Sequence, residues 1–239
     1  MKTLCNSKLL PVFTAILGGV GCGLRWTLYR QTVDSKNLIP VGHPYEWILW
    51  AVTALAAVLV IAKLWPLHHA EDAKPFRPAP VAAVGCVIGA VGILTAVLGD
   101  GIQMSGMALV RDLLGILAAA ALVAVAVYRW LGREPLFLLH TAVSVFFAVH
   151  MVNCYELWSC NPQLMDYIFT LLANVGLLLF AFYHACLEAE LPKPRLLGGA
   201  GLLTAYCCMV ALSGTEFPLL YLCGGIWALT NLLGLHRGE

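Results

Sequence analysis

Eight long apolar blocks follow one another along the chain, and their length restricts its fold more than any other feature. A helix needs about 20 mostly apolar residues to cross a bilayer, whereas a membrane β-barrel needs short segments of alternating polarity. Charged residues make up 11% of the chain, against about 25% in soluble domains. The sequence therefore predicts an all-α, polytopic transmembrane helical bundle of about eight helices in a single integral membrane domain, residues 1–239. The blocks span 9–29, 47–65, 80–99, 108–130, 136–158, 164–186, 195–213 and 216–235.

The first and last blocks each allow a second interpretation. The first block follows Lys2 and Lys8, as a signal peptide would, but its end has no A-x-A cleavage pattern, so we expect an uncleaved helix. Only the short stretch Ser213-Gly214-Thr215, whose first residue ends the seventh block, marks a break between the last two blocks. Whether they are separate spans is left open by the sequence.

The distribution of basic residues predicts how the helices are threaded. If the connections alternate between two sides, one side carries ten of the fourteen lysines and arginines. The positive-inside rule assigns that side to the cytoplasm. The sequence therefore predicts that both termini are cytoplasmic and that the number of spans is even. The predicted external side carries Arg25, Arg30, Lys36 and Arg111.

A polar turn, NCYELWSCNPQLMDY at 153–167, separates the fifth and sixth blocks. Threading places it outside, where its tyrosines and tryptophan suit the headgroup region. Cys154 and Cys160 are a candidate disulfide if the outside is oxidising; the alternative is two free, partly buried thiols. The other seven cysteines lack metal-ligand spacing, so no zinc site is predicted.

The chain has two candidate halves, 1–130 and 131–239, each with four blocks. The links at 70–80 and 189–198 are both rich in Pro and basic residues, and the first and fifth links are both rich in aromatic residues. These likenesses indicate a candidate 4+4 parallel repeat. Glycine spacing in the third block, at Gly85, Gly89 and Gly92, and in the first, at Gly19 and Gly23, predicts close helix packing.

Polar side chains line one face of the sixth block. At about 100° per residue, Asp166 and His184 share a face, and Thr170 and Asn174 lie within about 80° of it. Lipid cannot satisfy such groups, so we expect the stripe to face the interior of the bundle. An ionisable residue within a span is the first place to look for function.

Two histidines of the fifth block extend this pattern, since His140 falls at the depth of His184 and His150 lies nearer the predicted outside. Three interpretations remain open: interhelical hydrogen bonding, a solvated cavity for a small polar or anionic solute, and axial haem ligation by the His pair. Haem proteins of membranes show further pairs at regular spacing, and none occurs here. No cofactor is predicted.

Further charged and polar groups gather at the predicted external ends, where acidic side chains outnumber basic ones. Such a cleft favours cations or zwitterions, although ordinary charges facing the headgroups would give the same count. We expect Arg25 either to reach outward or to pair with Asp112 or Asp166. The candidate ligand-binding residues are Arg25, Asp34, His43, Asp112, His150, Glu156, Asp166, Asn174 and His184.

Two segments, 24–44 and 156–173, carry an Arg-containing helix, an Asp- and Leu-containing turn ending in His-Pro, and a W-S-x-x-P-x-x-x-D-Y turn. In these segments the chain resembles an uncharacterised family of bacterial multi-spanning proteins, over about a fifth of its length. The resemblance implies a bacterial inner membrane and no particular activity. The matching residues are Arg25, Asp34, His43, Pro44, Trp158, Ser159, Pro162, Asp166 and Tyr167.

No common enzyme motif occurs, and we lean towards a protein that is not an enzyme. A net charge of +1, with bases spread as topology signals, offers no nucleic-acid-binding face. The leading hypothesis is binding or transport of a small polar or zwitterionic solute through an outward-facing pocket between the first, fourth, fifth and sixth helices. The alternative is a non-catalytic scaffold or complex subunit with a membrane-protein partner, and a third is a haem- or quinone-linked redox protein.

Overall fold

The computed structural model describes residues 9–32, 43–64, 79–99, 101, 106–159, 167–191 and 193–234. These residues form eight α-helices joined by links, with a short 3-10 turn before the last helix and no β-strand. The all-α fold expected from the apolar blocks is confirmed. The helices are α1 (Leu9–Thr32), α2 (Pro44–Leu64), α3 (Pro80–Leu98), α4 (Gly106–Leu131), α5 (Phe137–Trp158), α6 (Ile168–Glu188), α7 (Pro194–Ala211) and α8 (Pro218–Gly234).

The last two apolar blocks form two separate helices. α7 ends at Ala211, and the 3-10 turn Leu212–Gly214 follows, with Ser213 in a non-helical conformation (φ −90°, ψ 41°). α8 then begins at Pro218. Proline also opens α2, α3 and α7, because its missing N–H is not needed in a first helical turn.

Seven of the described helices are long and apolar enough to cross a membrane, and the eighth is a shorter apolar helix, Pro218–Leu233. Their outward faces carry exposed Val, Leu, Ile and Phe side chains, which a bilayer accommodates at no cost. The chain is therefore a multi-pass integral membrane protein in contact with lipid.

Helices α3 to α8 form a closed ring. Each packs on the next in chain order, and α8 packs back on α3. Gly85, Gly89 and Gly92 make this closure possible, because a Cβ at these positions would meet Thr230, Trp227 and Cys223 of α8 respectively. The close packing predicted for the glycines of the third block is confirmed.

The α1–α2 hairpin lies outside the ring, against α7. Gly18 and Gly21 face Met209 and Val210 of α7, whereas a Cβ at Gly19 or Gly23 would meet nothing within 4 Å. The packing face of α1 is therefore rotated from the one that the Gly19–Gly23 spacing suggested. The candidate halves 1–130 and 131–239 and the repeat between them stay a prediction.

The helices alternate in direction, as the charge pattern required. The backbone N–H of Ala79, just before α3, donates to the carbonyl of Arg129, near the end of α4, at 3.1 Å. Likewise His140 near the start of α5 contacts Glu188, the last residue of α6. We call this the Glu188 end of the bundle, and the other end the Asp112 end. The sequence predicts that the Glu188 end is cytoplasmic.

Candidate functional site

The interior of the ring holds two groups of buried polar side chains at different depths. We call Arg129, His140, His184 and Glu188 the Glu188 cluster, and His150, Thr170, Asn174 and Tyr221 the Asn174 cluster. All eight are at most 3% exposed as side chains. They come from α4, α5, α6 and α8, which bound the interior of the ring.

Glu188 is held by two neighbouring helices. Nδ1 of His140 lies 2.8 Å from each carboxylate oxygen, and Nη2 of Arg129 lies 3.9 Å from Oε1. A carboxylate can only accept, so Nδ1 of His140 carries the hydrogen. This tautomer leaves Nε2 of a neutral His140 with a lone pair, and that atom has no hydrogen-bond partner.

His184 stacks on His140, with ring centroids 4.9 Å apart and planes 16° from parallel. Nη2 of Arg129 lies 3.5 Å from Nδ1 of His184, and the edge of Phe180 contacts the His184 ring at 4.7 Å between centroids. The expectation that the two histidines meet at one depth is confirmed. Because imidazole lone pairs lie in the ring plane, two stacked rings do not point their nitrogens at a common iron, so this pair does not fit axial haem ligation.

Trp227 and Asn231 of α8 pack beside the Glu188 cluster. The Trp227 ring lies 6.3 Å from His140 and 5.1 Å from Phe180 between centroids. Asn231 Nδ2 donates to the Trp227 carbonyl at 3.0 Å and contacts Cys86 Sγ of α3 at 3.6 Å. These contacts give the Asn231 amide hydrogen-bond partners and connect α8 to α3.

The Asn174 cluster differs because its polar atoms lack partners. Neither Oδ1 nor Nδ2 of Asn174 is hydrogen-bonded, nor are the hydroxyls of Thr170 and Tyr221 or Nδ1 of His150. The side chains of Asn174 and Tyr221 lie close enough for a weak polar contact with each other, without reaching hydrogen-bond geometry. The Cys154 thiol lies 3.6 Å from Nε2 of His150. A buried polar group left without a partner costs about 1–3 kcal/mol, so this group of atoms is suited to a polar guest.

Next to this cluster lies a buried ion pair on α4. Arg111 and Asp112 are 3% and 0% exposed, with Nη2 and Oδ1 2.7 Å apart, and Nε of Arg111 also donates to Oδ1 at 2.8 Å. The two charges compensate each other inside the protein. Asp112 is therefore an interior residue, as the sequence expected, and Arg111 is its partner.

Arg25 lies outside the ring, between α1 and its neighbours. Nη1 donates to the Val210 carbonyl at 3.3 Å, and the guanidinium lies over the rings of Tyr29 and Phe169, 5.4 and 5.5 Å from their centroids. At 3% exposure the Arg25 side chain is buried and does not reach outward. Arg25 holds α1 against α6 and α7.

The remaining candidates are divided between the surface and the undescribed segments. His43 is half-buried just before α2 and packs on Tyr45, with centroids 5.1 Å apart. Glu156 is exposed in the last turn of α5. Asp34 and Asp166 lie outside the described residues. The polar stripe is therefore described only from Thr170 to His184, on α6.

Cys154 carries a free thiol in the structure. It belongs to α5, is 0% exposed and points at His150 inside the bundle rather than into the polar turn. Cys160 lies outside the described residues, so the candidate disulfide between Cys154 and Cys160 stays a prediction. No group of three metal-ligating His, Cys, Asp or Glu side chains is found in the described part of the chain.

Sequence analysis missed two members of the Glu188 cluster. Arg129 is one of the ten basic residues that predict the threading, and the predicted sixth block ends at 186, before Glu188. The signal for Glu188 was its spacing, since it follows His184 by four residues and so shares its helix face. Comparison with protein-family models, curated proteins and solved structures finds no match for this chain.

Proposed function

We propose that the protein binds a small polar solute in the interior of the helix ring and moves it across the membrane. The observation that carries this proposal is Asn174, which is 0% exposed and whose two amide atoms reach hydrogen-bond geometry with no described group, Tyr221 being a weak polar contact only. Burying an amide without hydrogen bonds lowers the stability of the folded protein. A solute with both donors and acceptors would satisfy it.

The charges around the interior favour a solute without net charge. Arg111 lies beside Asp112, and Arg129 lies beside Glu188, so each of these two arginines inside the ring has an anion near it. A net ion would then enter a low-dielectric site with no opposite charge to meet it. Zwitterions, amides and polyols are the solute classes that fit hydroxyl, amide and imidazole groups.

The location is part of the same proposal. The ten-to-four distribution of basic residues supports cytoplasmic termini, which would place the Glu188 end inside and the Asn174 cluster nearer the outside. The resemblance to bacterial multi-spanning proteins supports an inner membrane. The solute would then enter from the Asp112 end.

A matched pair of variants tests the proposal. The purified protein in detergent is heated with members of the amino-acid, amine, sugar and vitamin classes, and a rise in Tm is sought. Asn174→Leu should abolish any rise while leaving the unliganded Tm unchanged or higher, because an orphaned amide is removed. Asn231→Leu, at a satisfied asparagine outside the cluster, should lower the Tm by removing hydrogen bonds of about 0.5–1.5 kcal/mol each and keep the ligand effect.

A scaffold role is the second candidate, and α2 favours it. The most apolar part of this helix, within Pro44–Ala62, is only 17% buried, and among the described helices it packs on α1 and α7 alone to any extent. Such a face suits lipid or a partner helix equally well. If no solute class raises the Tm and Asn174→Leu stabilises the protein, the scaffold hypothesis replaces the transport proposal.

A further inference from the structure

We propose that His140 and Glu188 form a proton-binding site, and that proton uptake there loosens the ring at the Glu188 end. The binding of the proton does not depend on the proposed transport. Its role in driving a solute rests on the function proposed above. The inference starts from the one carboxylate that joins three neighbouring ring helices in the described structure.

The contacts of Glu188 tie together α4, α5 and α6. His140 of α5 lies 2.8 Å from both carboxylate oxygens, and Arg129 of α4 approaches Oε1 at 3.9 Å. Both contacts depend on negative charge at the carboxylate: the hydrogen bond from His140 is stronger to a charged acceptor than to a neutral one, and the Arg129 contact is an ion pair. A proton on Glu188 would therefore weaken the links from α4 and α5 to α6 together.

His140 has the chemistry to deliver that proton. Its Nδ1–H points at Glu188, and its Nε2 is buried without a hydrogen-bond partner. A proton from water forms a new bond at Nε2, and the Nδ1–H bond then breaks as its proton passes to a Glu188 oxygen. The imidazole returns to neutral with its hydrogen on the other nitrogen, and the carboxylate becomes a carboxylic acid.

The position of His140 and Glu188 near helix ends suits proton exchange with water. Glu188 is the last residue of α6 and His140 the fourth of α5, so both lie within about one helical turn, roughly 5.4 Å along the axis, of a helix end. Both are fully buried as side chains. A proton has a short path to the pair, while bulk water is kept out in the closed arrangement.

The groups around the pair come from every helix packed there. α4 contributes Arg129, α6 itself contributes His184, and α3 contributes the buried Cys86 thiol. α8 contributes the neutral side chains of Trp227 and Asn231, and α7 begins at this end with Arg195, which is partly buried. A proton added to Glu188 removes the negative charge that lies 3.9 Å from Arg129, which makes the burial of that cation more costly and favours an opened, hydrated arrangement.

Infrared difference spectroscopy tests proton binding without any solute. The full-length protein in lipid is taken from alkaline to acidic pH, and the carbonyl stretch of a protonated buried carboxyl is followed, with its shift in D₂O as the signature. We expect one such band in the wild type and in Glu134→Gln, an exposed control at the same end. The band should be lost in Glu188→Gln.

A second variant keeps the test decisive if Glu188→Gln does not fold. If Glu188→Gln fails to fold, the double variant Arg129→Gln with Glu188→Gln keeps the net charge of the cluster and should lose the band equally. A wild type with no titrating carboxyl band, or a band that remains in the Glu188 variants, overturns the proton site.

The coupling to transport has its own readout. With a solute from the thermal screen, the rise in Tm should change with pH in the wild type and become independent of pH in Glu188→Gln. If the infrared band is found and no solute binds, the proton site stands and the proposed function fails. If a solute binds and the band is absent, the proposed function stands and this inference fails.

Discussion

At the scale of single residues, the interior separates polar groups that hold the fold from groups that await a partner. Asn231 and Asn174 are both buried on ring helices, yet Asn231 donates to the Trp227 carbonyl at 3.0 Å and neither amide atom of Asn174 reaches hydrogen-bond geometry. The same residue type therefore has two different energetic roles. The Arg111–Asp112 pair belongs with the first kind.

Breaking that pair should be costly. In Asp112→Asn, the Arg111 guanidinium, 3% exposed, is left buried beside a neutral amide, and we expect a loss of about 3–5 kcal/mol. Unfolding of the protein in detergent, followed by circular dichroism, measures it. Arg30→Gln is the control, because Arg30 is exposed over Trp26 at the edge of α1 and its removal should cost within about 0.5 kcal/mol.

The double variant Arg111→Met with Asp112→Leu extends this test. Replacing both partners of a buried ion pair by apolar groups is often neutral, so stability should recover most of what Asp112→Asn loses. If the double variant is as unstable as Asp112→Asn, the Arg111 and Asp112 charges stabilise other groups of the protein as well as each other.

Residue spacing predicted some of the buried polar residues inside the ring and missed others, and the reason is physical. Helical periodicity placed His184, Thr170 and Asn174 on one inward face, and depth along the chain paired His140 with His184. The four-residue spacing puts Glu188 on the face of His184, but spacing alone did not mark Glu188 or Arg129 as buried, since charges at helix ends are normally solvated. Burial of such charges depends on which neighbouring helix covers them, and that is a property of the packing.

At the scale of helices, the closure of the ring depends on the small residues of α3. The spacing of Gly85 and Gly89 on α3 and of Gly19 and Gly23 on α1 is identical, yet only the first pair faces another helix. Spacing shows that a groove exists along a helix. It cannot show whether a partner or lipid fills that groove.

Replacing one glycine in each groove by a larger residue distinguishes a groove filled by another helix from one that faces lipid. Gly85→Val should clash with Thr230 of α8 and lower stability by about 1–3 kcal/mol or more, as overpacking does. Gly19→Val should change stability little, because its Cβ would meet nothing within 4 Å. Thermal unfolding of the two variants side by side makes the comparison, and equal effects would contradict the ring closure.

Helix boundaries were predicted to within a few residues, and one small error had a large consequence. The sixth block was placed at 164–186, whereas α6 is Ile168–Glu188. The shift brings Glu188 from a predicted link into the last helical turn, under Arg129 and His140. An apolar-block boundary drawn at the first charge will miss any charge that the bundle buries.

At the scale of the whole molecule, the fold is a six-helix ring with a hairpin packed against α7. The sequence predicted the number of helices, their alternation and their membrane character, because these follow from local apolarity and length. It did not predict the ring, which depends on the contacts between α8 and α3. The proposed solute site and proton site lie at different depths inside that ring.

The threading predicts the compartments of the two ends. A reporter enzyme that is active only outside the cytoplasm should be inactive when inserted after Glu134, in the link between α4 and α5, and active when inserted at Gly214, between α7 and α8. A reporter at the C-terminus should behave like the one at Glu134. Activity at both insertion sites, or at neither, would contradict the alternating arrangement.

The most direct measurement of the central claim is an experimental structure of the protein in a lipid nanodisc, at a resolution that shows ordered solvent. The claim is that the polar interior of the ring exists to hold a guest. The account predicts density for water or a solute within hydrogen-bond distance of the Asn174 amide, between Tyr221 and His150. An interior packed without such density, with the Asn174 amide bonded to a neighbouring helix, would contradict it.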